Sequence, residues 1–123
     1  FYLEQFTGIP CEVDYASEFR YRQSPLSPTT LVIPVSQSGE TADTIAATER
    51  ALAQTMTLAV CNVLGSTLSR KVKNTVFTHA GPEISVASTK AFTTQVTVLY
   101  LTALFLGQKR GTLDTERSKE LLA

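Results

Sequence analysis

An α/β fold built on a parallel sheet is predicted by three features of this chain. Apolar strand-like runs alternate with helix-like stretches; residues 31–35 (LVIPV) form a short, β-branched-rich run suited to a buried strand; and that run passes at once into a hydroxyl-rich turn and then a helical pattern. Alternation of this kind implies a sheet covered on both faces, with right-handed crossovers.

Taken in order, residues 1–7 read as the last turns of a helix ended by Gly8, with Pro10 preventing its resumption. Residues 11–15 suit a strand and residues 16–23 a short helix, which Ser24, Pro25, Ser27 and Pro28 terminate. A second strand is expected over 30–35 and a helix over 42–55, where Ile45, Ala46, Leu52 and Ala53 recur at roughly helical spacing. Residues 56–63 form the third strand, followed by Gly65, Ser66 and a helical turn over 68–70. The fourth strand covers 75–79. A long helix is expected over 82–108, with Pro82 in its first turn and Gly107 and Gly111 marking its end. Residues 112–123 read as a short polar helix or tail leading out of the domain.

Composition narrows the functional classes. A chain of 123 residues with 43% hydrophobic content fits one globular domain. Eleven basic and eleven acidic residues balance without any run of like charge, so neither nucleic acid nor an anionic membrane is an expected partner. Cys11 and Cys61 sit in apolar, strand-like contexts and are expected to be buried, reduced thiols, which points to the cytoplasm. The most apolar stretch, 92–106, is interrupted by Thr93, Thr94, Gln95, Thr97 and Thr102 and falls short of the about 20 apolar residues that span a bilayer. It is read as a core helix.

The turn Ser36-Gln37-Ser38-Gly39-Glu40-Thr41 carries most of the functional information. It lies between the carboxyl end of a strand and the amino end of a helix, where open α/β sheets bind ligands. The first N–H groups of a helix lack internal partners and carry partial positive charge, so a phosphate can accept from them directly. Ser36, Ser38 and Thr41 add hydroxyl donors, Gln37 adds an amide, and Gly39 lets the backbone bend close to a ligand. No Lys or Arg occurs between Arg22 and Arg50, so such a cradle relies on neutral donors. The competing explanation is that Ser38 or Thr41 is simply a helix N-cap.

Other candidates carry less. CNVLGSTLSR repeats the strand–turn–helix design at Asn62, Val63, Gly65, Ser66 and Thr67, although these are also ordinary turn formers. His79, the only histidine, has no companion nucleophile or second metal ligand at useful spacing, so a structural role is preferred over a general base. No metal site is visible in the spacing. Glu83 and Lys90 share a helix face, read as an exposed edge rather than a site wall. Ser85, Ser88, Thr89, Thr93, Thr94 and Thr97 put small hydroxyls along the long helix, as close packing against another helix or subunit would use.

SQSGETADT, CNVLGSTLSR and PEISVASTKAFTTQ, together with the upstream ASEFRYR, resemble the sugar isomerase (SIS) domain family, and within it the first SIS domain of the isomerising glutamine:fructose-6-phosphate aminotransferases. The resemblance implies a flavodoxin-like three-layer sandwich with its first strand in the middle of the sheet. It also implies that this chain is an N-terminally truncated fragment lacking that strand, with an empty slot between residues 11–15 and 31–35. It places Ser36, Gln37, Ser38 and Thr41 on the phosphate of fructose 6-phosphate or glucosamine 6-phosphate, and the backbone of Val63 on the sugar, with Ser66 a possible neighbour. The domain division it implies is a partial SIS domain over 1–111 and a linker over 112–123 toward a second SIS domain. That second domain would carry the catalytic glutamate, lysine and histidine, and a glutaminase domain would release ammonia. No catalytic residue, cofactor or metal is therefore expected here, Glu83 included, and a homodimer is expected. The alternatives are a non-catalytic SIS module that senses a sugar phosphate, or a related deglycase or isomerase.

Overall fold

Strand β3 (Met56–Cys61) organises the sheet, and the computed structural model describes residues 1–23, 25–82 and 89–123 around it and beyond. Its last three residues, Ala59, Val60 and Cys61, are fully buried, as an apolar strand flanked on both edges must be. One edge pairs with β1 (Leu31–Val32) and β2 (Val35–Ser36), the other with β4 (Asn74–Phe77), and every pairing is parallel.

The strand expected over 30–35 is observed as these two pieces. Leu31 stands opposite Met56 and Val32 opposite Thr57, then Val35 opposite Val60 and Ser36 opposite Cys61, so the register never slips. Pro34 explains the gap. It has no N–H for the ladder, yet its carbonyl still accepts from Val60 N–H at 2.9 Å.

The described residues divide into two compact units. The larger, Asp14–Gln95, contains the sheet. Helix α3 (Ala42–Leu52) buries Ala47, Thr48 and Ala51 and contacts β3, the short helix α2 (Ala16–Phe19) and α4 (Thr67–Lys71). Ala59, Cys61, Leu68 and Val72 form the core beneath α4. Arg20 on α2 pairs with Asp43 on α3 at 2.5 Å, and Arg50 donates to the carbonyls of Phe19 and Arg22.

The strand expected over 11–15 is absent. No described strand offers it a ladder partner; Val13 is 98% exposed, and Tyr15 is the extended residue that precedes α2. A segment of alternating apolar and acidic residues such as Cys11 to Tyr15 becomes a strand only when a neighbour completes its hydrogen bonds. Cys11 is accordingly half-buried, with its N–H on Glu4 Oε1 at 3.0 Å, while Cys61 is buried as expected; both are free thiols.

The smaller unit comprises Phe1–Val13 and Val96–Ala123. Helix α1 (Tyr2–Thr7) ends at Gly8, which has a left-handed backbone with φ 67°. Phe6 packs with Ala103 and Leu104 of the long helix α5 (Lys90–Arg110) and with Tyr100, Leu113 and Leu121. The polar segment read as a short helix or tail folds as helix α6 (Thr115–Leu122) and packs within this unit through Leu121. Asp114 caps it, Ser118 is buried, and Tyr100 donates its hydroxyl to Leu121 O at 2.9 Å.

Two expectations for the long helix are revised. Pro82 is not in its first turn, because Pro82 has no helical structure and the described helix begins at Lys90. Nor is α5 wholly a core helix: Phe92, Leu101 and Phe105 remain exposed, while Ala91, Ala103 and Leu104 are buried. Its threonines turn inward on their own backbone, with Thr94 bonding Lys90 O at 3.0 Å and Thr102 bonding Val98 O at 2.7 Å. Glu83, Ser85 and Ser88 lie outside the described residues.

Candidate functional site

The Ser36–Thr41 turn is stitched to its surroundings by backbone geometry more than by its side chains. Ser36 ends β2 and is buried, and its Oγ accepts from Gly39 N–H at 3.0 Å, closing the turn on itself. Gly39 has φ 68°, a conformation that costs glycine nothing. Its carbonyl accepts from Leu68 N–H at 3.0 Å, and the carbonyl of Gln37 accepts from Asn62 N–H at 3.2 Å. Ser38 Oγ accepts from Glu40 N–H at 3.2 Å.

Neither Ser38 nor Thr41 caps α3. Thr41 occupies the N-cap position with extended backbone (φ −67°, ψ 116°) and is exposed, but its side chain makes no capping bond. The contrast lies within the same molecule. Ser66 caps α4 by accepting from Ser69 N–H at 3.4 Å, and Asp114 caps α6 by accepting from Arg117 N–H at 2.7 Å. The simple capping explanation of the turn therefore fails for α3, whose N-cap residue makes no side-chain bond to the helix start. For Ser66 it holds: this residue is buried and engaged with Ser69 and, at 3.5 Å, with Cys61 Sγ.

An acidic residue in a hydroxyl-rich turn at a helix start calls for an explanation, and Glu40 supplies it. Its carboxylate accepts from Thr67 N–H at 2.8 Å, at the start of α4. Hydrogen bonding from Thr67, through its side chain and then its backbone, holds this carboxyl below the usual glutamate range, with Arg70 adding to the effect. The negative charge is thus engaged at a second helix start.

Beside the turn lies a cleft of about 400 Å³ lined by Gln37, Asn62, Val63, Leu64, His79, Gly81 and Pro82. It sits where β2, β3 and β4 end. Of the residues singled out from sequence, Gln37, Asn62, Val63 and His79 line it, whereas Ser36, Ser38 and Thr41 belong to the adjoining turn.

Asn62 is the residue that sequence reasoning undervalued. Buried at the end of β3, it donates from Nδ2 to Gly81 O at 2.8 Å and accepts at Oδ1 from Ala80 N–H at 2.8 Å and Thr78 Oγ1 at 2.9 Å. It clamps the loop after β4. A buried amide directly after an apolar strand was the available signal, since such a group must find partners. Among the described residues no cluster of His, Cys, Asp and Glu could hold a metal ion, and no helix is long and apolar enough to cross a membrane.

The comparisons agree with this geometry. The model of the SIS domain family matches residues 1–105. The chain is 56% identical over 111 residues to a glutamine–fructose-6-phosphate aminotransferase [isomerizing] of Streptomyces coelicolor, covering 89% of this chain and 18% of that protein. To the protein of the same name from Pseudomonas putida it is 54% identical, covering 99% of this chain and 20% of the relative. It spans about a fifth of these curated relatives. Among solved structures, the C-terminal domain of glucosamine-fructose-6-phosphate aminotransferase from Francisella tularensis superimposes with a TM-score of 0.93 at 37% identity, over 98% of this chain and 34% of that one. A glucosamine-6-phosphate deaminase from Thermotoga maritima shares the fold alone, with a TM-score of 0.74 at 23% identity, over 98% of this chain and 37% of that one. A parallel sheet, a hydroxyl-rich turn at an uncapped helix start and a family match running from Phe1 through β4 and into α5 together place the chain in the SIS domain family.

Proposed function

We propose that this chain is the sugar-phosphate-binding part of the isomerase region of an enzyme that makes glucosamine 6-phosphate from fructose 6-phosphate and glutamine. The observation that carries the reading is the uncapped start of α3 behind the Ser36–Thr41 turn, next to a cleft of sugar size. The names of the relatives supply the substrate class.

In this reading the phosphate accepts from the first amides of α3 and from the hydroxyls of Ser36, Ser38 and Thr41. Ser36 and Ser38 use Oγ as an acceptor within the turn, so each hydroxyl hydrogen is still to be donated. Gln37, the residue shared by turn and cleft, bridges phosphate and sugar, and Val63 walls the sugar side. With Glu40 held at α4, no free carboxylate of the turn opposes the anion.

Proton transfer between C1 and C2 of an open-chain sugar needs an acid and a base. These belong to a second SIS domain in this reading, toward which residues 112–123 lead, and a glutaminase domain supplies ammonia. A cytoplasmic homodimer accompanies it, supported by the two free thiols and the exposed apolar residues of α5.

The test is titration of the chain with glucosamine 6-phosphate, fructose 6-phosphate and unphosphorylated glucosamine, followed by amide NMR. Shifts at residues 36–45 with both phosphosugars but not with glucosamine are expected, with affinity about tenfold or more weaker in Ser38→Ala. A folded chain that responds equally to glucosamine and glucosamine 6-phosphate overturns the reading.

A further inference from the structure

We propose that His79 is a sugar-contacting residue of the cleft, held toward the ligand by a backbone conformation that its side chain disfavours. This deepens the phosphosugar reading and rests on it. His79 has φ 52°, the only positive φ of a non-glycine residue among those described. A side chain at such an angle crowds its own backbone, and the conformation persists only where the surroundings over-determine it.

The surroundings do so on both sides. Before His79, Thr78 N–H donates to Cys61 O at 3.0 Å and Thr78 Oγ1 to Asn62 Oδ1 at 2.9 Å. After it, Ala80 N–H donates to the same Oδ1 at 2.8 Å, and Gly81 O accepts from Asn62 Nδ2 at 2.8 Å. One buried amide thus pins the residues flanking His79, and the strand end fixes where the loop begins.

A loop needing only this turn would be served better by glycine. Histidine stands there instead, exposed on the cleft with Gln37 and Val63 and bearing the only ionisable side chain among the described lining residues. Its neighbours there offer one amide from Gln37 and otherwise apolar surface or polar groups already engaged by the Asn62 clamp. A ring hydroxyl or amine has two-sided hydrogen-bonding needs. An imidazole, which donates at one nitrogen and accepts at the other, meets them without the fixed charge that would favour phosphate over sugar.

The experiment compares His79→Gly and His79→Ala with the unaltered chain, measuring affinity for glucosamine 6-phosphate and for inorganic phosphate by NMR titration, and thermal stability in parallel. Both variants are expected to bind glucosamine 6-phosphate about three- to tenfold more weakly, as loss of one hydrogen bond gives, while inorganic phosphate binding is unchanged. His79→Gly is expected to melt no lower than the unaltered chain, which separates lost contact from lost folding. Unchanged glucosamine 6-phosphate affinity in His79→Gly overturns this inference alone. Failure of the unaltered folded chain to distinguish the phosphosugar from glucosamine overturns the phosphosugar reading and this inference together.

Discussion

Gly39 lies so close to Ser66 that a Cβ on Gly39 would stand 2.3 Å from Ser66 Oγ and 2.8 Å from Cys61 Sγ. The turn after β2 and the cap of α4 are therefore packed as one piece, with no room for a methyl group. Gly39→Ala meets two penalties: a left-handed φ of 68° that costs a non-glycine residue about 1–2 kcal/mol, and overpacking against a buried cap. Urea unfolding is expected to show a loss of about 2–4 kcal/mol, with phosphosugar binding lost even where the chain remains folded.

Thr41→Asp tests the open start of α3 by filling it. The present Thr41 side chain makes no capping bond, so an aspartate there gains both a cap and a favourable charge at the helix start. Stability is expected to rise by about 0.5–1 kcal/mol in thermal melts, while phosphosugar affinity falls more than tenfold because a carboxylate occupies the anion's place. A variant that is more stable and still binds would contradict the proposed position of the phosphate.

Glu40 makes the docking of the turn on α4 sensitive to acid. Its folded pKa lies below the unfolded value because Thr67 hydrogen-bonds the charged form. The contribution is therefore present above the unfolded pKa and is lost as pH falls through the lower, folded one. Glu40→Gln should flatten this part of the stability profile below the ordinary glutamate range and leave neutral to alkaline behaviour parallel to that of the unaltered chain. The full charge is exposed, so the change is expected to be small and reduced by salt.

Gly107→Ala sets helix propensity against packing. Alanine favours a helix interior by about 1 kcal/mol over glycine. Here, however, an added Cβ would stand 2.7 Å from the backbone oxygen of Phe6 and 3.2 Å from Leu113 Cβ. Backbone cannot step aside as a flexible side chain does, and Phe6 O is also the acceptor for Thr112 Oγ1 at 2.6 Å. A net loss of about 1–2 kcal/mol is expected on denaturant unfolding; a gain would show that α1 yields freely.

Much of the architecture was legible because it depends on local pattern. The residues that form β3, α3 and α4 carry their periodicity in the chain itself, and the observed bounds differ from the expected ones mainly at the ends, where fraying and caps decide. The turn at Ser36–Thr41 was legible for the same reason, being a strand end, a glycine and a helix start within a few residues. Residues 11–15 do not form the expected strand because alternation of Cys11, Val13 and Tyr15 with acidic residues marks a segment that suits a strand, and pairing requires a neighbour that the pattern does not name. Asn62 was undervalued because its partners at residues 78–81 are distant in the chain.

By itself the sequence determined the α/β class, the place of the turn between strand and helix, and the reliance on neutral donors where no Lys or Arg is near. Those properties are short-range, set by side-chain period and residue type. Only the tertiary structure decided that Thr41 leaves α3 uncapped, that Glu40 is engaged at α4, and that Asn62 holds His79 in a left-handed conformation on the cleft. Each depends on where a hydrogen-bonding group finds its partner in space, and for Glu40 and Asn62 that partner lies on a segment well separated along the chain.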